Sequence, residues 1–212
     1  MRTIPDAANS ENCDFRNVYR SLPPYPTIKC IGQPLFRRQQ VRDYACMLDL
    51  DPDVISWRCL PQAILNDSGA RKPRWWHVDL AVETETQALL VEVWQTSIGG
   101  PTWLQNVAER MGYRYHPVSM LDLDQTRLQN SKDLMRYLGS EAPLGDRIRI
   151  LGALDEMGSL TLAECLSAVR ESRPMHTVAA LILAGMLEVD LSDALLGPDT
   201  AVRRATAQGG RR

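Results

Sequence analysis

Two acidic side chains interrupt apolar stretches, where a carboxylate is costly to bury. Asp79 sits in WWHVDLAV and Glu92 in ALLVEVW. An ionised carboxylate held away from water needs a cation or a set of donors. Two that converge make a hard-oxygen pocket for a divalent cation such as magnesium. The plainer alternative is pairing with Arg or exposure at a sheet edge, and Arg71, Lys72 and Arg74 lie just upstream as partners.

The elements that must position these acids can be read from periodicity. Residues 75–82 alternate large apolar and polar side chains, and residues 88–94 form a short, nearly continuous apolar run. Both patterns predict strands, joined by the polar, turn-like residues 83–87. Strand side chains alternate, so Leu90, Glu92 and Trp94 share a face. If the strands pair as a hairpin, Asp79 and Glu92 converge on one rim of the sheet.

Around that hairpin the chain reads in order. Residues 1–33 carry few periodic signals, and Pro23, Pro24 and Pro26 extend the chain. This is an arm that packs on the body or stays mobile. From Pro34 onward Leu35, Val41, Ala45 and Leu48 fall near helical spacing, and Asp51-Pro52-Asp53 stops that helix. Residues 54–60 read as a strand. Thr102 can cap a helix over 103–111 that Gly112 ends. A strand over 115–121 and a helix over 126–138 follow, and residues 139–143 look like a linker. The expected first domain, 34–143, is α/β with a small mixed sheet.

Residues 144–204 change character. A helix over 147–157 closes at Gly158, a second is capped by Ser159 or Thr161, and a third runs 175–187 after Pro174. Two short strands at 189–191 and 200–202 then flank a loop. Three helices followed by a β-ribbon predict a small winged-helix-like α+β domain. The tail, 205–212, is basic and Gly-rich, an expected disordered segment.

Composition narrows the class. The chain has 212 residues, 44% of them hydrophobic, enough for one large domain or two small ones. The net charge of −2 does not by itself select a partner. No apolar run is long enough to span a bilayer, and the polar N-terminus has no apolar signal core. The five cysteines show no CxxC spacing, which fits reduced thiols in a cytoplasm. The five tryptophans read as core. His77, His116 and His176 are scattered and pair with no cysteine in any recognisable nucleophile arrangement.

Three stretches carry a resemblance to a known family. LDLDPDV (48–54) resembles the segment joining the first helix to the first strand of the TnsA family, the endonuclease subunit of heteromeric transposases. Val78-Asp79 followed by LLVEV (89–93) resembles its PD…(D/E)xK strands. AGMLEVDL (184–191) resembles the end of its winged helix. The match spans about residues 35–202 and rests on order and spacing. It implies a restriction-endonuclease-like mixed sheet flanked by helices, followed by a winged-helix-like domain. It also implies magnesium-dependent cleavage of DNA at transposon 5′ ends, with Asp79 and Glu92 as metal ligands.

Two positions depart from that pattern. The motif Lys falls on Trp94, and an indole can neither position water nor neutralise developing charge. The helix Glu falls near Gln39, Gln40 or Val41, with Asp43 the nearest carboxylate. Lys72 or Arg74 would have to reach in from the preceding loop, with Gln95 or His77 orienting water. The catalytic candidates are therefore Asp79, Glu92, Gln95 and Lys72, with magnesium the cofactor if the centre is active. Arg37, Arg38, Arg42, Arg71, Lys72 and Arg74 are the candidate phosphate contacts; a solvated basic face is the plainer account of them.

Three functions follow as expectations. The first is a TnsA-like protein with a weakened or dead centre that binds DNA, a transposase or a transposition regulator. The second is an active endonuclease with a rearranged site. The third is an adaptor working through its winged helix, because the third helix, MHTVAALILAGML, offers only His176 as a polar, basic side chain. A base-reading helix usually shows Arg, Asn or Gln to the groove. All three readings place the protein in the cytoplasm, off the membrane.

Overall fold

Helix α1 (Gln39–Leu50) forms because Val41, Ala45 and Leu48 repeat at helical spacing and bury one face. It stops at Asp51, before Pro52. The computed structural model describes residues 26–60, 63–66, 74–96 and 99–205. The chain divides into two units, Met1–Leu123 and Asp124–Arg212.

In the first unit α1 is followed by β1 (Val54–Cys59), β2 (Ala63–Asn66), β3 (Arg74–His77), β4 (Leu80–Thr84), β5 (Ala88–Trp94), α2 (Thr102–Arg110) and β6 (Arg114–Ser119). A four-stranded mixed sheet runs in the order β1-β4-β5-β6. Its first two pairings are antiparallel, and β5 pairs parallel with β6. The parallel step requires a crossover, which α2 supplies. Val41, Ala45 and Leu48 of α1 pack with Leu80, Val82, Val91 and Val93. Leu104 and Ala108 of α2 pack with Ala81, Leu90 and Tyr115. One helix thus covers each face of the sheet. On the outer edge of β1, Cys30 bridges Trp57, with Trp57 N donating to Lys29 O at 3.1 Å and Ile31 N to Trp57 O at 2.8 Å. The described end of the expected arm therefore packs on the body; residues 1–25 lie outside the described residues.

The structure corrects the strand expected over 75–82. That stretch splits at Val78 and Asp79. Its first half, β3, pairs with β2 in a separate hairpin, Trp76 opposite Ile64, while its second half joins the main sheet. The chain breaks where it changes partner. The strand 88–94 is as expected. Thr102 is the first residue of α2 rather than its cap; Pro101 holds the cap position without a side-chain bond. Gly112 turns the chain at φ 79°, a conformation that favours glycine.

The second unit contains α3 (Gln125–Met135), α4 (Leu144–Met157), β7 (Ser159–Thr161), α5 (Leu162–Ala168), α6 (Pro174–Leu183), β8 (Leu187–Val189) and β9 (Ala201–Arg204). The three strands form an antiparallel sheet, β7-β9-β8. Ile150, Leu154, Cys165, Val178, Leu181 and Val202 fill the core. Ser159 enters a short strand, and Thr161 is the helix cap, forming a reciprocal capping box with Glu164. The third helix ends at Leu183, four residues short of the expected Leu187, which belongs to β8.

Helix α3 groups with the second unit, although the sequence reading assigned it to the first. The buried Asn130 is the reason. Its Nδ2 donates to Leu191 O at 2.9 Å and Ala194 O at 2.8 Å, and its Oδ1 accepts from Leu196 N at 2.9 Å. One side chain from α3 thereby pins the loop between β8 and β9. The expected linker, 139–143, lies inside this unit. Of the expected tail, residues 206–212 lie outside the described residues.

Candidate functional site

The pairing of β4 with β5 begins at Leu80 opposite Val91. One residue further, at the end of β4, stands Asp79, and beside Val91 stands Glu92. Both carboxylates are buried, each residue 4% exposed. Asp79 and Glu92 fall at the same end of the β4–β5 pairing, and separate donors claim each of them.

Asp79 accepts three hydrogen bonds. Arg37 Nη2 donates to Oδ1 at 2.7 Å, and Arg38 Nη2 donates to Oδ2 at 2.8 Å. The amide of Val93 donates to Oδ2 at 2.9 Å. Both arginines precede α1, so the start of that helix delivers two guanidinium groups to the end of β4. Arg37 also donates to His77 O at 3.2 Å. Its side chain is only 15% exposed, whereas that of Arg38 is 40% exposed and lies over the Trp94 ring, 6.0 Å from the centroid. His77 is held below its ordinary pKa by burial and by the Arg37 charge, with the Asp79 charge opposing.

Glu92 is held from the α2 side of the sheet. Trp76 Nε1 lies 3.0 Å from both carboxylate oxygens, and the Tyr115 hydroxyl donates to Oε2 at 2.6 Å. Gly100 N in turn donates to the Tyr115 oxygen at 2.8 Å. A Cβ built on Gly100 would come within 2.7 Å of that oxygen and 3.1 Å of Glu92 Oε2, so the loop before α2 closes over the acid at glycine distance. Burial raises the Glu92 pKa; the Tyr115 and Trp76 hydrogen bonds oppose that shift, and the Asp79 charge adds to it. Burial and the Glu92 contact push the Tyr115 hydroxyl up as well.

The remaining candidates separate. Gln95 is exposed at the rim, where Gln40 Nε2 donates to its Oε1 at 3.1 Å. Gln40 of α1 thus meets the strand end with an amide. Asp43 accepts from Gln39 Nε2 on the same helix. Trp94 packs against Trp76 with ring centroids 6.4 Å apart. Arg42 lies on α1, half-buried. Arg71 and Lys72 lie outside the described residues, as does the side chain of Arg74. Sequence reasoning missed Arg37 and Arg38 as partners of Asp79, because it sought partners among the nearer Arg71, Lys72 and Arg74. The arginines are about 40 residues away in sequence, and no local pattern links them to β4.

This arrangement does not fit the magnesium that the sequence resemblance implies. Magnesium binds through one or two carboxylates plus waters in near-octahedral geometry. Here both oxygens of each acid already accept from protein donors. A divalent ion ~5 Å from a guanidinium centre would be repelled by roughly 7 kcal/mol at an effective dielectric of about 20. Among the described residues, no group of three or more His, Cys, Asp or Glu side chains is placed to hold a metal. The arrangement instead provides a neutralised acid, an arginine with outward-facing surface and a rim of two amides.

Compared with known proteins, the chain matches no family model and no curated protein.

Proposed function

We propose that the chain is a TnsA-like transposition protein whose nuclease-type domain does not cleave and which acts by binding DNA and a transposase or transposition-regulator partner. The observation that carries this reading is the pairing of Asp79 with both Arg37 and Arg38, at 2.7 and 2.8 Å, with Trp94 in place of the motif Lys. Phosphodiester hydrolysis at such a centre needs a cation to activate water and stabilise the leaving oxygen. The acid that would hold it is already neutralised. The main-sheet order α1-β1-β4-β5-α2-β6, with β2 and β3 set apart as a separate hairpin, and the helices on both faces support the restriction-endonuclease-like part of the reading. The helix–strand–helix–helix–hairpin order of residues 144–204 supports the winged-helix part.

Binding falls to the candidate basic side chains. Arg38 keeps an exposed edge, and Arg42, Arg71, Lys72 and Arg74 complete the candidate phosphate contacts. Such contacts give affinity without sequence preference and weaken as salt rises. The test is a nicking assay with magnesium or manganese, run beside a gel shift on the same duplex. The expected result is salt-sensitive binding and no cleavage. Metal-dependent nicking that disappears in Asp79→Ala and Glu92→Ala would replace this reading with an active endonuclease.

A second reading, a protein-binding adaptor, is favoured by one observation on α6. His176, its only basic side chain, is engaged: Nδ1 lies 3.0 Å from Ser140 Oγ, and the ring meets Tyr137 edge-on at 5.1 Å. The half-exposed positions Ala180, Ile182 and Leu183 are apolar, so the helix presents no donor to a base edge. Under this reading Arg170→Ala/Arg173→Ala leaves DNA affinity unchanged. A loss of affinity with a shallower salt slope would return the second unit to DNA contact.

A further inference from the structure

We infer that Arg37 and Arg38 are the resident cations of the pocket at the end of β4, occupying the role that a divalent ion plays in a nuclease of this architecture. The inference builds on the non-cleaving reading but concerns what neutralises Asp79, not what the protein binds.

Four observations converge. The Asp79 side chain is 1% exposed, and so deeply buried an acid requires compensation. Its two oxygens receive one guanidinium each, so the compensation is two-sided, as it would be beneath a metal. The third donor, Val93 N, is backbone and belongs to the adjoining strand, so the acid is fixed to the sheet and the arginines come to it. Finally, both arginines come from consecutive positions in the turn that opens α1, and Gln40, two residues on, meets Gln95. The α1 start thus brings two cations and an amide to the place where the family pattern implies a metal and its helix Glu.

This placement has a direct consequence. With both arginines present the pocket excludes divalent ions. With both replaced by neutral side chains, Asp79 becomes a buried acid without a counter-charge, and an added metal ion then stabilises the fold by binding the native state.

The test uses the full-length chain, MnCl2 as the probe, and two readouts independent of cleavage. These are the thermal unfolding midpoint and the electron paramagnetic resonance signal of free manganese. For the wild-type protein the expected result is no change in midpoint and no loss of free-ion signal at millimolar MnCl2. Arg37→Gln/Arg38→Gln lowers the midpoint, and MnCl2 restores part of the loss; adding Asp79→Asn abolishes that recovery. Should the double variant fail to fold, Arg38→Gln alone, at the half-exposed position, gives a smaller midpoint loss and a smaller manganese recovery, because Arg37 still pairs with one oxygen. Manganese binding by the wild type that Asp79→Asn removes would overturn the inference, as would arginine variants whose midpoint ignores manganese. A gel shift on the same samples keeps the two ideas apart. Absent DNA binding counts against the proposed function and leaves the manganese result standing.

Discussion

The Val93 amide donates to the Asp79 carboxylate at 2.9 Å, two residues beyond the β5 position that pairs with the first residue of β4. The acid therefore supplies a side-chain acceptor to β5 just before β4 begins. It closes the sheet and binds Arg37 and Arg38 at once. Asp79→Ala removes both roles and leaves two guanidinium groups short of a partner. Breaking a buried pair from one side typically costs about 3–5 kcal/mol. Urea denaturation should show a loss of that order, and a change below about 1 kcal/mol would mean that the pairing does not hold the end of the sheet.

Glu92 gives a pH signature. Its folded pKa is raised by burial above the ordinary 4.5. The folded state therefore holds this proton more tightly than the unfolded chain. The resulting stability is fully present below the unfolded pKa and is lost as pH rises through the folded one. Glu92→Gln should flatten the stability profile between that folded value and pH 4.5, because the amide cannot titrate. Urea midpoints of wild type and variant, measured at several pH values across this window, check it. Parallel profiles for the two proteins would contradict the expectation.

Asp146 titrates in the opposite sense. Burial pushes its carboxyl up, but the amides of Arg170 and Glu171, the Arg149 guanidinium and the Ser172 hydroxyl together bring it down to about 2. Its contribution is present above the ordinary 3.8 and is lost as pH falls toward about 2. These bonds fasten the start of α4 to the turn between α5 and α6. Asp146→Asn should weaken the second unit at neutral pH and shrink its loss of stability below pH 3.8. Circular dichroism melts at neutral and acid pH would show both effects.

Asn130 makes three hydrogen bonds to the loop between β8 and β9 while only 1% exposed. Asn130→Ala removes three part-buried hydrogen bonds, each worth about 0.5–1.5 kcal/mol net. Hydrogen exchange should rise in residues 191–196, with β7 to β9 less affected. Uniform acceleration across the unit would show that the loop is held by other means.

Much of the architecture was legible from local pattern. The α1 spacing, the uninterrupted strand ALLVEVW, and the glycines at 112 and 158 each announce an element through its own residues, because helix and strand periods differ and positive φ favours glycine. Asp79 and Glu92 stood out for the same reason: a carboxylate in an apolar run violates the local rule and marks a position that needs a partner. The short β2 and β7 did not, since three or four residues carry no resolvable period.

By itself the sequence determined where the elements lie and which two acids had to be compensated. Only the tertiary structure decided what compensates them. The fold brings Arg37 and Arg38 from the turn before α1 to Asp79, and Trp76 and Tyr115 to Glu92. It also breaks one predicted strand between two sheets. Local preference is written within a few neighbouring residues. Pairing between distant charges depends on which strand ends beside which helix, and that is settled only when the layers pack.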